Sequence, residues 1–124
     1  MCSIREYKIP KFTINIESLQ PGEHLFSLEM NANIMIPRDG VNNDCIAEIT
    51  INYNAENNEP IMVAVIRGNI ADAGVGLEDA ERCNIIKAEI FPILYTRLRN
   101  FIETMLEESN VGLPNIPPVE QVSI

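Results

Sequence analysis

A chain of 124 residues with 46% hydrophobic and 22% charged side chains has material for one core and no room for a second domain. Its 18 acidic residues against 9 basic ones leave a net charge of −9, a surface that repels nucleic acid phosphates and anionic lipid. The N-terminal MCSIREYKIPKF places Arg5, Glu6, Lys8 and Lys11 where a signal peptide needs an apolar stretch, and the longest apolar run, Ile61 to Ile66, is far short of the ~20 residues that span a bilayer. The expectation is a cytoplasmic protein with neither a nucleic acid nor a membrane partner.

In chain order, alternation begins at Phe12, with Phe12, Ile14 and Ile16 on one face and Thr13, Asn15 and Glu17 on the other, the period of a half-buried strand. After the breaker QPGE at 20–23, Phe26, Leu28, Met30, Ala32, Ile34 and Ile36 alternate with mostly polar neighbours until Pro37 ends a second strand. RDGVNND at 38–44 is a turn, and beyond it Cys45, Ala47, Ile49, Ile51 and Tyr53 face away from Asp44, Glu48, Thr50, Asn52 and Asn54. A second turn, NAENNEP, leads to IMVAVIRGNI, where both parities are apolar, so the fourth strand is expected to be central or covered on both faces. These strands make an antiparallel sheet, and periodicity leaves open whether QPGE is a hairpin or a crossover.

From Leu77 the period changes to that of a helix. Glu78, Asp79 and Glu81 sit where a helix dipole favours acids, and Pro92 either kinks the helix or opens a second one. Past it, Phe91, Leu94, Leu98, Phe101 and Met105 form an apolar stripe, with Arg97, Arg99, Asn100, Glu103 and Glu107 elsewhere on the wheel. Asn110 and Gly112 end the helix, and the apolar, proline-rich VGLPNIPPV follows. The division is a sheet over 7–74, a helical part over 77–109 and a docked tail over 110–124, all in one domain over 1–124.

Little in the sequence points to an enzyme, a cofactor or a metal. Cys2, Cys45 and Cys83 are odd in number and lack a CxxC pair, which fits a reducing compartment, with Cys45 and Cys83 read as buried or partly buried thiols acting as small hydrophobes. His24 stands alone beside QPGE with no nucleophile motif, and the glycines from Gly68 to Gly76 have neither a following Lys-Ser nor a dinucleotide fingerprint. The oxygens of Asp39, Asn42, Asn43 and Asp44 do not follow EF-hand order and read as turn formers.

Taken in order, the apolar strand IMVAVIRGNI, the glycine-bounded turn GNIADAGVG, the helix IFPILYTRLRNFIETMLEESN and the closing GLPNIPPV resemble the C-terminal half of the SecB protein-export chaperones. The resemblance covers about residues 61–119, and residues 7–57 match in strand order. It implies an α+β fold: a four-stranded antiparallel sheet with a crossover between its first two strands, and a long kinked amphipathic helix packed on one face. It also implies a homo-oligomer, dimer or tetramer. The function implied is that of an ATP-independent holdase, which lays non-native polypeptide along an apolar groove. Its candidate walls are Phe91, Leu94, Tyr95 and Leu98 on the helix with Leu113, Ile116 and Val119 on the tail, for each of which an intramolecular core or subunit-interface role stays open.

Two departures from the SecB pattern stand out. The second C-terminal helix of that family has no counterpart before Ile124. Of the acids by which the family docks on the SecA motor, Glu17 matches one, whereas Thr13 and Ala64 stand where others would be, so SecA docking is not carried over. Glu29 and Glu48 could build a different negative face for a protein partner. Two further readings stay open: a dedicated chaperone of a single partner such as an antitoxin, and an oligomeric adaptor that reuses the fold.

Overall fold

The computed structural model describes residues 2–15, 27–36, 44–54, 60–71, 77–108 and 117. Four strands, β1 (Ser3–Ile14), β2 (Ser27–Met35), β3 (Cys45–Asn54) and β4 (Pro60–Ala71), are followed by two helices, α1 (Asp79–Glu89) and α2 (Phe91–Glu108). The strands form one antiparallel sheet in the order β1-β4-β3-β2, so the chain passes from one edge of the sheet to the other between β1 and β2. The QPGE connection is therefore a crossover, and the remaining three strands form a meander.

Sheet register explains the core. Cys45, Ala47, Ile49, Ile51 and Tyr53 of β3 stand opposite Ile70, Gly68, Ile66, Ala64 and Met62 of β4, and every one of these residues is buried. Because side chains alternate across a strand, all ten point to one face, and the helices cover that face. The other face of β4 carries Val63, Val65, Arg67 and Asn69, which are only half-buried. β4 is thus central by its position between two strands rather than by being covered on both sides.

The first strand begins at Ser3, well before the alternation that starts at Phe12. Two irregularities in its pairing with β4, between Ile4 and Glu6 and between Lys8 and Lys11, shift the pattern, so period two is lost from the sequence while the pairing continues. Pro10 is tolerated because β1 is an edge strand.

The helical part divides at Ile90, whose N–H still donates to the Ile86 carbonyl (2.8 Å), while the Leu94 N–H donates to the Ile90 carbonyl (3.0 Å). Pro92 stands in the first turn of α2, where its missing N–H costs no helical bond. Six residues of α2 are buried, Phe91, Leu94, Tyr95, Leu98, Ile102 and Leu106, a stripe turned toward Tyr95 and Ile102 from the expected Phe91-Leu94-Leu98-Phe101-Met105 line. Phe101 lies at the rim and meets Phe12 of β1 edge to face, ring centroids 5.2 Å apart at 88°. α2 lies across β4 and β3, and α1 packs on α2.

Gly68 lets α2 approach the sheet. A Cβ there would stand 3.3 Å from Leu94 Cδ2 and 3.5 Å from Ile70 Cδ1, both in the core. Gly68→Ala is expected to destabilise the protein by about 1 to 3 kcal/mol through overpacking, read as a lower urea midpoint at unchanged m-value. An unchanged midpoint would show that α2 can lift without loss.

Candidate functional site

The residues proposed for a groove separate by location. Phe91, Leu94, Tyr95 and Leu98 are each no more than 1% exposed and belong to the core between helix and sheet. The reason is geometric: these positions are the stripe of α2 that faces β3 and β4, so they form the floor beneath any surface groove rather than its contact surface. Leu113, Ile116 and Val119 lie outside the described residues.

An apolar surface is present nonetheless, on β2. The pairings Leu28–Tyr53, Met30–Ile51, Ala32–Ile49 and Ile34–Ala47 put Leu28, Met30, Ala32 and Ile34 on the helix-covered face, and Ile36 continues their parity. Their β3 partners are buried, whereas Leu28 and Ala32 are exposed and Met30, Ile34 and Ile36 only half-buried. α2 covers β3 and β4, and the apolar row runs one strand further than this cover. The sequence already carries this row as the alternation from Phe26 to Ile36. The overlooked signal is that a strand outside the helix footprint keeps a full apolar face. A second apolar patch lies on the outer side of α2, where Ile93 is exposed beside Pro92.

The tail reaches this region at one described point. The buried Tyr95 donates its hydroxyl hydrogen to the Pro117 carbonyl, which fixes one residue of VGLPNIPPV against α2.

Burial, with smaller contributions from Tyr95 and Glu103, pushes the Tyr53 phenol up from 10 to about 12, and burial pushes Tyr95 up as well. A phenol whose folded pKa is raised contributes stability that is fully present below its unfolded pKa and lost as pH rises through the folded one. Stability is therefore expected to fall between about pH 10 and 12, together with late ionisation of a tyrosine followed at 295 nm. Tyr53→Phe should flatten that fall; an equally steep loss in the variant would place its cause elsewhere.

The opposite face of the sheet carries groups of both signs among apolar ones, including Val63, Val65 and the exposed Met35. Arg67 donates to Glu48 Oε2 from Nε (2.8 Å) and pairs with it again through Nη2 (2.7 Å), directly across β4 and β3. Asn69 donates to Glu6 (3.0 Å), and Lys8 and Lys11 stand at neighbouring positions of β1. Glu29 is exposed on β2, four positions along from Asn33, the partner of Glu48. Glu48 is thus partly neutralised by Arg67, and it and Glu29 lie on a face that also carries basic groups. Glu17 and His24 are outside the described residues.

The cysteines are free thiols at structural positions: Cys2 and Cys45 are buried and Cys83 is half-buried. Burial pushes the Cys45 thiol up, opposed by the Arg82 guanidinium, which donates to its sulfur at 3.2 Å. Burial and the nearby Glu89 carboxylate likewise raise Cys2. Neither has the lowered pKa of a nucleophilic thiol.

Among the described residues no group of three or more His, Cys, Asp or Glu could hold a metal ion, and no helix is long and apolar enough to cross a membrane. No protein-family model and no curated protein sequence matches the chain. Among solved structures it is similar to the SecB-like chaperone Rv1957 of Mycobacterium tuberculosis, solved in complex with a ChAD peptide from the antitoxin HigA1 (Rv1956). The TM-score is 0.67 at 10% identity, over 94% of this chain and 86% of that one. With its crossover between β1 and β2, its three-strand meander and two helices on one face, the chain has the SecB-like fold.

Proposed function

We propose that this protein is a nucleotide-independent chaperone that holds non-native polypeptide against the apolar row of β2. The observation that carries the proposal is that row, Leu28 to Ile36, left partly open beside α2 in a SecB-like fold. Five apolar side chains at alternate positions present an extended surface about 27 Å long, at ~3.4 Å per residue, matched to an extended client. A client strand could bury its own alternate apolar side chains there and pair with the β2 backbone. Release would follow from weak, reversible contacts without a nucleotide cycle.

A dedicated client is the narrower form of the same reading. The structural neighbour was solved with an antitoxin peptide, and among the described residues the outer face of the sheet is mixed in charge rather than uniformly acidic. A homo-oligomer and a cytoplasmic setting complete the proposal.

The test is light scattering of a chemically denatured protein diluted into buffer, with and without an equal concentration of this one and no ATP. Suppressed aggregation supports a general holdase. Full aggregation beside a folded protein removes general activity and leaves the dedicated form, to be pursued by pull-down of a single bound chain.

A further inference from the structure

We infer that the client is held by backbone pairing to the outer edge of β2, which selects segments with apolar residues at every second position and no acid among the others. The inference rests on the chaperone reading above and adds the class of client.

The two edges of the sheet are built differently. β1 carries Pro10, the charged Arg5, Glu6, Lys8 and Lys11, and two irregularities in its pairing, all devices that keep a further strand from adding to an edge. β2 has none of them. Its residues, SLEMNANIM, include no proline and no basic side chain, and its register with β3 runs unbroken from Ser27–Asn54 to Met35–Ile46. Among the described residues no strand lies beyond β2, so the outward N–H and C=O groups of a regular strand are left for an added one.

The side chains of β2 define what that added strand must be. Its alternate residues would stand beside Leu28, Met30, Ala32 and Ile34, and the others beside Ser27, Glu29, Asn31, Asn33 and Met35. The first row calls for apolar partners. The second offers amides and Glu29, the one charged residue of β2, on a protein of net charge −9. A lysine or arginine beside Glu29 is attracted and a carboxylate repelled. A contiguous apolar block of the same composition satisfies neither row, because an extended chain splits it between the two faces. Backbone bonds thus supply affinity whatever the side chains, and the two rows supply selection.

The test uses the unmodified protein and acetylated, fluorescein-labelled peptides of nine residues, the length of β2, read by fluorescence anisotropy. One alternates valine with threonine and lysine. A second has the same composition with its valines contiguous, and a third has glutamate for lysine. Two more are the alternating peptide N-methylated at three positions of one parity or at three of the other. Reduced carboxymethylated α-lactalbumin, permanently unfolded, is the reference client.

In pairing to a single edge, the amides of one parity face β2 and those of the other face solvent. Loss of one backbone hydrogen bond corresponds to about a fivefold change in affinity, so three facing methyl groups should weaken binding about a hundredfold. Methyl groups on the other parity should leave it nearly unchanged, and the contiguous and glutamate peptides should both bind more weakly than the alternating one. Equal losses from the two methylated peptides, or equal affinity for the alternating and contiguous ones, overturn the inference and leave an apolar holdase standing. A glutamate peptide held as tightly as the lysine one overturns the selection against acids. α-Lactalbumin held with no peptide held also overturns the inference, the edge then being filled by a second copy or by the chain itself. If neither α-lactalbumin nor any peptide is held, the chaperone reading fails and the inference falls with it.

Discussion

Leu94→Asp is expected to unfold the protein rather than to remove client binding selectively. Leu94 is fully buried at the point where α2 crosses the sheet, and its Cδ2 is the atom that a Cβ at Gly68 would meet first. Truncation of such a leucine to alanine alone costs about 2 to 5 kcal/mol. An aspartate there adds either an unpaired buried charge or the cost of holding the carboxyl protonated, which brings the total above about 5 kcal/mol. That is comparable with the whole stability of a domain this size, ~5 to 15 kcal/mol. The measurement is the far-ultraviolet circular dichroism of the purified variant with a urea titration, set beside Ile93→Asp. Ile93 is the neighbouring residue, 43% exposed, and its replacement should cost no more than ~1 kcal/mol. A folded, cooperative Leu94→Asp protein would show that this stripe of α2 faces a removable partner and not the core.

The contrast between Leu94 and Ile93 shows what a sequence can say here. The alternation in β3 and the shift to a helical period after Leu77 are legible because each belongs to an element with one buried side, and burial of one side is what periodicity records. β1 before Phe12 is illegible for the opposite reason: two irregularities, an edge position and Pro10 scatter its apolar residues between faces. The crossover after β1 was likewise open to two connections, because strand order depends on long-range pairing that no local pattern encodes.

The candidate site was less legible than the fold. An apolar residue that packs inside and one that awaits a client are identical letters, so Phe91, Leu94, Tyr95 and Leu98 read as candidate groove walls although they line the core. The β2 row looked like an ordinary core face in the sequence. Only the position of α2 over β4 and β3 shows that its cover stops one strand short.

That open row yields the second large effect. Leu28→Asp combined with Ala32→Asp is expected to abolish aggregation suppression while the protein stays folded. Ala32 is exposed and Leu28 is 38% exposed on the edge strand, so the replacements remove part of one leucine's burial and no fully buried side chain, and the stability cost should stay within about 2 kcal/mol. The carboxylates would stand about 13 Å apart along β2, far enough to interact only weakly with one another. For a client, by contrast, burying apolar side chains against two carboxylates means desolvating both charges, a penalty of several kcal/mol set against contacts that are individually weak. Binding should fall by a factor of a hundred or more, on the order of 3 kcal/mol. The comparison that decides the matter is scattering by the same denatured test protein in the presence of the double variant and of wild type, each first shown to have the same urea midpoint to within that small cost. Retained suppression by the variant would move the client surface off β2, with Ile93 and Pro92 on the outer side of α2 the next apolar surface to change.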